Sequence, residues 1–190
     1  MRTLVVLAHP NIESSQVNAV WASELHKRPE TITLQNIYQA YPDWNIDVAR
    51  EQMLLAGHDR IILQFPVYWY SVPPLLKKWI DDVFLYGWAY GPGGNRLARK
   101  EIGFAVSTGS PADAYQKNGR LGHTLDELLR PLEQTIRFIK ARPLPTFVMH
   151  GANHTIPEDV LYRNALDYVD HLHKRHDYAN VGSRSIASGD

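Results

Sequence analysis

The sequence predicts an α/β fold built on a doubly wound, five-stranded parallel sheet of order 2-1-3-4-5. Three observations carry that prediction. Short apolar runs of strand length alternate with segments of helical periodicity along the whole chain, the pattern of a parallel sheet covered by helices on both faces. Runs such as Arg60-Ile61-Ile62-Leu63 read as strands buried in a core. The 190 residues also suit a single domain able to bury roughly 70% of the surface its unfolded chain exposes.

The elements follow in order. The first strand is Thr3 to Ala8, and the first helix runs from about Ser15 to Lys27 with Val17, Val20, Trp21 and Leu25 on its apolar side. A strand at Thr31 to Ile37 precedes a short helix from Asp47 to Ala56, which Gly57 terminates. The third strand is Arg60 to Phe65. The helix after it begins at Pro73-Pro74, since proline is tolerated in a first turn, and Leu75, Leu76, Trp79, Ile80, Val83 and Phe84 form its buried face. On its other side Lys77 with Asp81 and Lys78 with Asp82 make weak pairs. A fourth strand spans Glu101 to Ser107, and a helix from His123 to Phe138 is interrupted or bent near Pro131. The fifth strand is Pro145 to Met149. A last helix starts at Pro157, with Glu158 and Asp159 in its first turn and Lys174, Arg175 and His176 in its last, matching the macrodipole at both ends. Residues 1–178 form the predicted domain, and the small, polar residues of 179–190 read as a flexible tail.

Composition narrows the function classes. Twenty basic and twenty acidic residues cancel, leaving no electrostatic footprint for nucleic acid and none of the acidity of a small electron carrier. The chain has no cysteine, which removes disulfides, thiolate nucleophiles and thiolate metal sites. No apolar run approaches the ~20 residues of a membrane span, and the expected location is the cytoplasm. The dinucleotide fingerprint G-x-G-x-x-G and the Walker pattern are both absent. A phosphoacceptor regulator is disfavoured because no acidic cluster follows the first strand. His171 and His173, two apart on a helix, point in different directions and make no metal site.

In a sheet of this order, ligands bind at the carboxyl ends of the strands near the switch point. Three loops leave that edge. The first, His9-Pro10-Asn11-Ile12-Glu13-Ser14-Ser15-Gln16-Val17-Asn18, combines hydroxyls with the free N–H groups of a helix start, able to hold a phosphate without Lys or Arg. Ser15 is equally a plain N-cap and His9 a hydrogen-bonded turn residue. The second, Gln64 to Pro74, places Tyr68, Trp69 and Tyr70 together, either as a plug between helix and sheet or as a surface for a flat ligand. The third, Ser107-Thr108-Gly109-Ser110-Pro111, offers hydroxyls and a glycine that allows close backbone approach. Downstream, Tyr115 and His123 are candidate proton donors or surface residues, and His150 and His154 can line the substrate end.

These loops together resemble those of the flavodoxin-like NAD(P)H:quinone oxidoreductases. Within them the chain is most similar to the ancillary oxidoreductases of glutathione-gated potassium efflux systems. The likeness rests on Ala8-His9-Pro10 with Ser15 and Asn18; on Phe65-Pro66-Val67-Tyr68-Trp69-Tyr70-Ser71 through Trp79-Ile80-Asp81; on Gly87-Trp88-Ala89-Tyr90-Gly91-Pro92-Gly93-Gly94; and on Thr108-Gly109-Ser110-Pro111 with Tyr115. Ser110 and Pro111 stand where many quinone reductases carry further glycines.

The resemblance implies FMN, ahead of FAD, as cofactor, with NAD(P)H as electron donor and a quinone as acceptor in a ping-pong exchange. It places His9, Ser15, Gln16, Val17 and Asn18 around the flavin phosphate and ribityl chain. Pro66, Val67, Tyr68 and Trp69 would lie along the isoalloxazine, and Ser107, Thr108, Gly109 and Ser110 at its polar edge. Tyr115 with a nearby histidine, taken as His123, would assist protonation. It further implies a homodimer in which Trp88 and Tyr90 cap the partner's flavin. The alternative it raises is a regulatory subunit of a potassium efflux transporter, peripheral at the inner membrane.

Overall fold

The computed structural model describes residues 1–175. In chain order these form β1 (Thr3–Leu7), α1 (Gln16–His26), β2 (Ile32–Asn36), α2 (Ile37–Ala40), α3 (Val48–Ala56), β3 (Arg60–Pro66), α4 (Pro74–Val83), β4 (Glu101–Ser107), α5 (Leu125–Phe138), β5 (Arg142–Pro143), β6 (Phe147–Met149) and α6 (Glu158–His173). The strands pair in parallel in the order β2-β1-β3-β4-β5, and β6 also pairs with β4. The predicted order holds, with one strand more than expected.

The predicted fifth strand, Pro145 to Met149, holds only as β6, and the extra strand is β5, which pairs with β4 just before it. Pro143 and Pro145 bring no N–H to the ladder, so pairing lapses between Arg142–Pro143 and Phe147–Met149. Leu144 stays against β4 because Gly103 leaves room for it: a Cβ there would stand 2.7 Å from the Cβ of Leu144.

Strand alternation sorts the core onto two faces. Leu4, Val6, Ile61, Leu63, Phe65, Phe104 and Val106 face the helices α3, α4 and α5, whose contribution includes Leu55, Leu75, Leu76, Trp79, Val83 and Leu129. Val5, Ile62 and Ala105 face α1 and α6 through Val17, Trp21, Leu25, Ala165 and Tyr168. The buried face predicted for α4 is the observed one, and its two Lys–Asp pairs both form.

Local chemistry sets the ends. α5 opens on a capping box in which Glu127 N–H donates to Thr124 Oγ1 at 3.2 Å and Thr124 N–H to Glu127 Oε2 at 2.9 Å, so the helix starts after His123. Of the two expectations at Pro131, interruption or a bend, the interruption does not occur: the helix runs on through it. The proline lies on the exposed side, where water can satisfy the carbonyl that loses its partner. α6 stops at His173, earlier than predicted, so its last-turn basic residues are His171 and His173 while Lys174 is the cap. The buried Arg60 guanidinium explains the stop: it donates to the carbonyls of Leu172 and Lys174 and pairs with Glu101. His176, the domain boundary at 178 and the tail at 179–190 lie outside the described residues. Among the described residues no helix is long and apolar enough to cross a membrane.

Candidate functional site

The carboxyl ends of β1, β3 and β4 open into a cleft of about 490 Å³. Its lining comprises His9, Ser14, Ser15, Gln16, Val17, Pro66, Val67, Tyr68, Trp69, Ser107, Gly109, Ala152 and Asn153. The topology brings them together, because strands parallel and adjacent release their following loops on one edge.

At one end stands the first turn of α1. Ser15 Oγ accepts the N–H of Asn18 at 3.0 Å, which leaves its hydroxyl proton and the N–H groups of Gln16 and Val17 for another acceptor. Ser14 differs, because its hydroxyl donates to the Asn11 carbonyl at 3.0 Å. Asn11 N–H donates to His9 Nδ1 at 3.1 Å, placing the ring proton of the neutral imidazole on Nε2. Burial holds the His9 pKa below its ordinary value.

The long wall is the aromatic turn. Tyr68 and Ser71 exchange backbone hydrogen bonds of 3.0 Å in each direction, and the residues between them, Trp69 and Tyr70, have φ of 47° and 63°. A two-residue turn with both central residues left-handed normally holds Asn-Gly. Here two bulky rings occupy it at a cost of about 1–2 kcal/mol each. The result is outward presentation: the Trp69 side chain is 91% exposed.

The far edge is the end of β4. Val67 N–H donates to the Ser107 carbonyl at 2.8 Å, tying the wall to it. Thr108 is buried and its hydroxyl donates to the Ser110 carbonyl at 2.9 Å, so His150 Nδ1, 2.8 Å away, must be the donor of that pair. The neutral His150 ring therefore keeps its lone pair on Nε2, and burial lowers its pKa. Its ring lies 5.3 Å from that of Tyr115.

A model of the flavodoxin-like fold family matches residues 1–172. The chain belongs to the flavodoxin-like fold family. A protein of Bacillus subtilis named as an uncharacterized NAD(P)H oxidoreductase, YrkL, is 46% identical over 176 residues, covering 93% of this chain and all of its own. A general stress protein 14 from Treponema denticola, solved in complex with FMN, superposes with a TM-score of 0.86 at 40% identity, covering 91% of this chain and 98% of that one. An NADPH-quinone reductase of P. pentosaceus has a TM-score of 0.80 at 33% identity, over 88% and 95% of the two chains.

Within this flavodoxin-like frame the predicted site residues separate by position. His9, Ser15, Gln16, Val17, Pro66, Val67, Tyr68, Trp69, Ser107 and Gly109 line the cleft. Asn18 and Thr108 are buried behind it, bonded to Ser107 and to Ser110. Ser110 turns its hydroxyl outward to accept from Arg120 at 3.0 Å. Trp88 and Tyr90 are half-buried against their own core, with Tyr90 5.3 Å from the ring of Phe138. His123 does not accompany Tyr115: its side chain is exposed and sits 3.9 Å from Glu127, while the imidazole on Tyr115 is that of His150. The 3₁₀ turn Ala112–Tyr115 buries Tyr115, and the chain then turns outward before His123.

Ala152 and Asn153 were not foreseen. Gln16 holds their loop, donating to the carbonyls of Ala152 and His154 and accepting from Ile156 N–H. Asn153 packs over Gly109, where a Cβ would come within 2.4 Å of its Nδ2. The available signal was topological, since the loop after the last strand leaves the same sheet edge.

The imidazoles of His9 and His150 both have lowered pKa values, which gives a pH prediction. The unfolded chain takes up their protons more readily than the folded one, so their contribution to stability is full above about 6.5 and declines as pH falls through that value. Urea unfolding from pH 8 to 5 is expected to show this loss, and His150→Gln to make it shallower. An unchanged slope in that variant would remove His150 from the linkage.

Proposed function

We propose that this chain is an FMN-dependent NAD(P)H:quinone oxidoreductase. The observation that carries the reading is one cleft holding helix-start donors, an outward aromatic wall and a hydroxyl-lined polar edge, in the sequence that a phosphate, a planar ring and its heteroatom edge require. The FMN complex of the Treponema relative and the oxidoreductase relatives support it. The donor set fits the cofactor. Neutral donors at the α1 start suit a phosphate without a cation, and an exposed tryptophan suits a flat partner.

When bound, FMN would supply the two-electron chemistry between NAD(P)H and a quinone, the two exchanging in one slot by a ping-pong cycle. The chain's own residues bind and orient. Ser15, the amides of Gln16 and Val17 and the Nε2–H of His9 hold the phosphate and ribityl end. Pro66, Val67, Tyr68 and Trp69 fix the ring plane. Ser107 and Gly109 meet the polar edge, while Asn18, Thr108 and Ser110 set their positions from behind. His150, not His123, stands with Tyr115 in the expected proton-handling place, and the Thr108 bond leaves the His150 Nε2 lone pair free to take up and pass on a proton. A homodimer extends the reading, and the apolar group of Leu85, Tyr86 and Phe138 beside Trp88 and Tyr90, all three exposed, is its proposed contact. No observation favours a transporter subunit, so the enzyme reading is carried forward.

The test is a visible spectrum of the purified protein with added FMN, then anaerobic NADPH, then a quinone. Flavin absorbance that bleaches with NADPH and returns with quinone is the expected result. A protein that retains no FMN would end this reading.

A further inference from the structure

We propose that Gln64 and Asn18 are positioning residues that make Ser107 a hydrogen-bond donor toward the cleft. The inference rests on the flavin reading above and specifies the chemistry of its polar edge.

The argument is one of hydrogen-bond direction. Gln64 Nε2 lies 3.3 Å from the backbone carbonyl of Asn18 and 3.3 Å from Asn18 Oδ1. A backbone carbonyl can only accept, so the Gln64 amide cannot be turned round: its NH₂ must face Asn18. Asn18 must then show its oxygen to Gln64 and its own NH₂ the other way. That NH₂ donates to Ser107 Oγ at 2.9 Å. All three residues are buried, at 0%, 1% and 4% exposure, so water does not scramble the order.

Ser107 closes the series. Its oxygen is used as an acceptor by Asn18, no protein group among the described residues takes its proton, and the side chain lines the cleft. With one lone pair taken by Asn18 and its proton unclaimed, the hydroxyl is left to address a ligand as a donor, to an oxygen or a lone-pair nitrogen. On a flavin, a donor at the polar edge favours the form with more negative charge there, which is the reduced one.

The remaining atom of the relay shows what the glutamine is for. Gln64 Oε1 is buried with no partner, a defect worth roughly 1–3 kcal/mol. A leucine of similar size would remove this orphan but leave the buried Asn18 Oδ1 without its donor, so the exchange is close to neutral in stability. The glutamine is thus accounted for by orientation rather than by stability.

The experiment is a double-mutant cycle on the FMN-loaded protein, read as midpoint potential, with amide exchange on the same proteins before FMN is added. Ser107→Ala is expected to weaken reduced relative to oxidised FMN binding by about tenfold, a potential lower by roughly 30 mV for a two-electron couple. Gln64→Leu should shift it in the same direction by less, and the double variant should match Ser107→Ala alone. Ser107→Thr, which keeps the hydroxyl, should stay at the wild-type value. Without FMN, the Asn18 side-chain amide protons should exchange slowly in the wild type and rapidly in Gln64→Leu, whose melting temperature should stay close to the wild type's, one orphaned acceptor replacing another. Additive shifts in the cycle, an unmoved potential in Gln64→Leu, or a marked loss of its stability would each overturn the relay. Failure of FMN to bind would sink the flavin reading instead, and the amide exchange would still judge the relay.

Discussion

Glu51→Leu is expected to destabilise the protein by about 3 kcal/mol or more. Glu51 is fully buried. Its Oε1 accepts from Gln35 Nε2 and from the Tyr41 hydroxyl, each at 2.6 Å, and its Oε2 from Trp79 Nε1 at 2.9 Å. Burial first, and then the carboxylate itself, push the Tyr41 pKa well above its ordinary value. No Lys or Arg pairs with Glu51 among the described residues, so three neutral donors hold the group. Leucine leaves all three buried and unmatched, at roughly 1–3 kcal/mol each. Glu51→Gln should fall between the two, because its NH₂ must face at least one donor. Urea unfolding of the three proteins measures the series. The bonds join β2, α2, α3 and α4, so a mere 1 kcal/mol loss would mean that the hub is dispensable.

Trp69→Gly should move stability and cofactor binding in opposite directions. Glycine adopts the left-handed turn without the Cβ penalty, and relief of about 1–2 kcal/mol, less the entropy glycine loses on folding, leaves a gain of roughly 0.5–1 kcal/mol. The ring it removes is the exposed face of the proposed flavin wall. By analogy with base–aromatic stacking, worth about 1–3 kcal/mol, FMN affinity is expected to fall roughly tenfold to a hundredfold. Thermal melts without FMN and a fluorescence titration with it read the two effects separately. Trp69→Ala should lose binding without the gain in stability. Unchanged affinity in both variants would mean that Trp69 does not touch the ring. An unstrained, stable turn that bound FMN equally well would leave the two left-handed rings without a purpose.

The two substitutions also separate what a linear reading can reach from what it cannot. Trp69 was visible as an aromatic in a strand-to-helix connection where small polar residues are usual. Glu51 was not visible at all: a glutamate in a short amphipathic helix looks solvated until Gln35, Tyr41 and Trp79 converge on it from other elements. The same limit explains His123. Eight residues from Tyr115, it was the nearest histidine in sequence after the tyrosine, yet the fold turns it to the surface and brings His150 across from β6. Asn18 shows a subtler case: the sequence puts it among the residues expected around the cofactor, while its burial, which makes it a support for Ser107, depends on Gln64 in β3.

The order of strands, the face of α4 that is buried, and the three loops that line the cleft were determined by the sequence alone. Each follows from local periodicity or from the rule that parallel strands open their loops on one edge, and both are properties of neighbouring residues. The extra strand β5, the loop at Ala152 and Asn153, the pairing of His150 with Tyr115 and the direction of every hydrogen bond behind Ser107 were decided only by tertiary structure. These depend on groups far apart in the chain meeting within about 3 Å, where exclusion of water fixes which atom donates and which accepts.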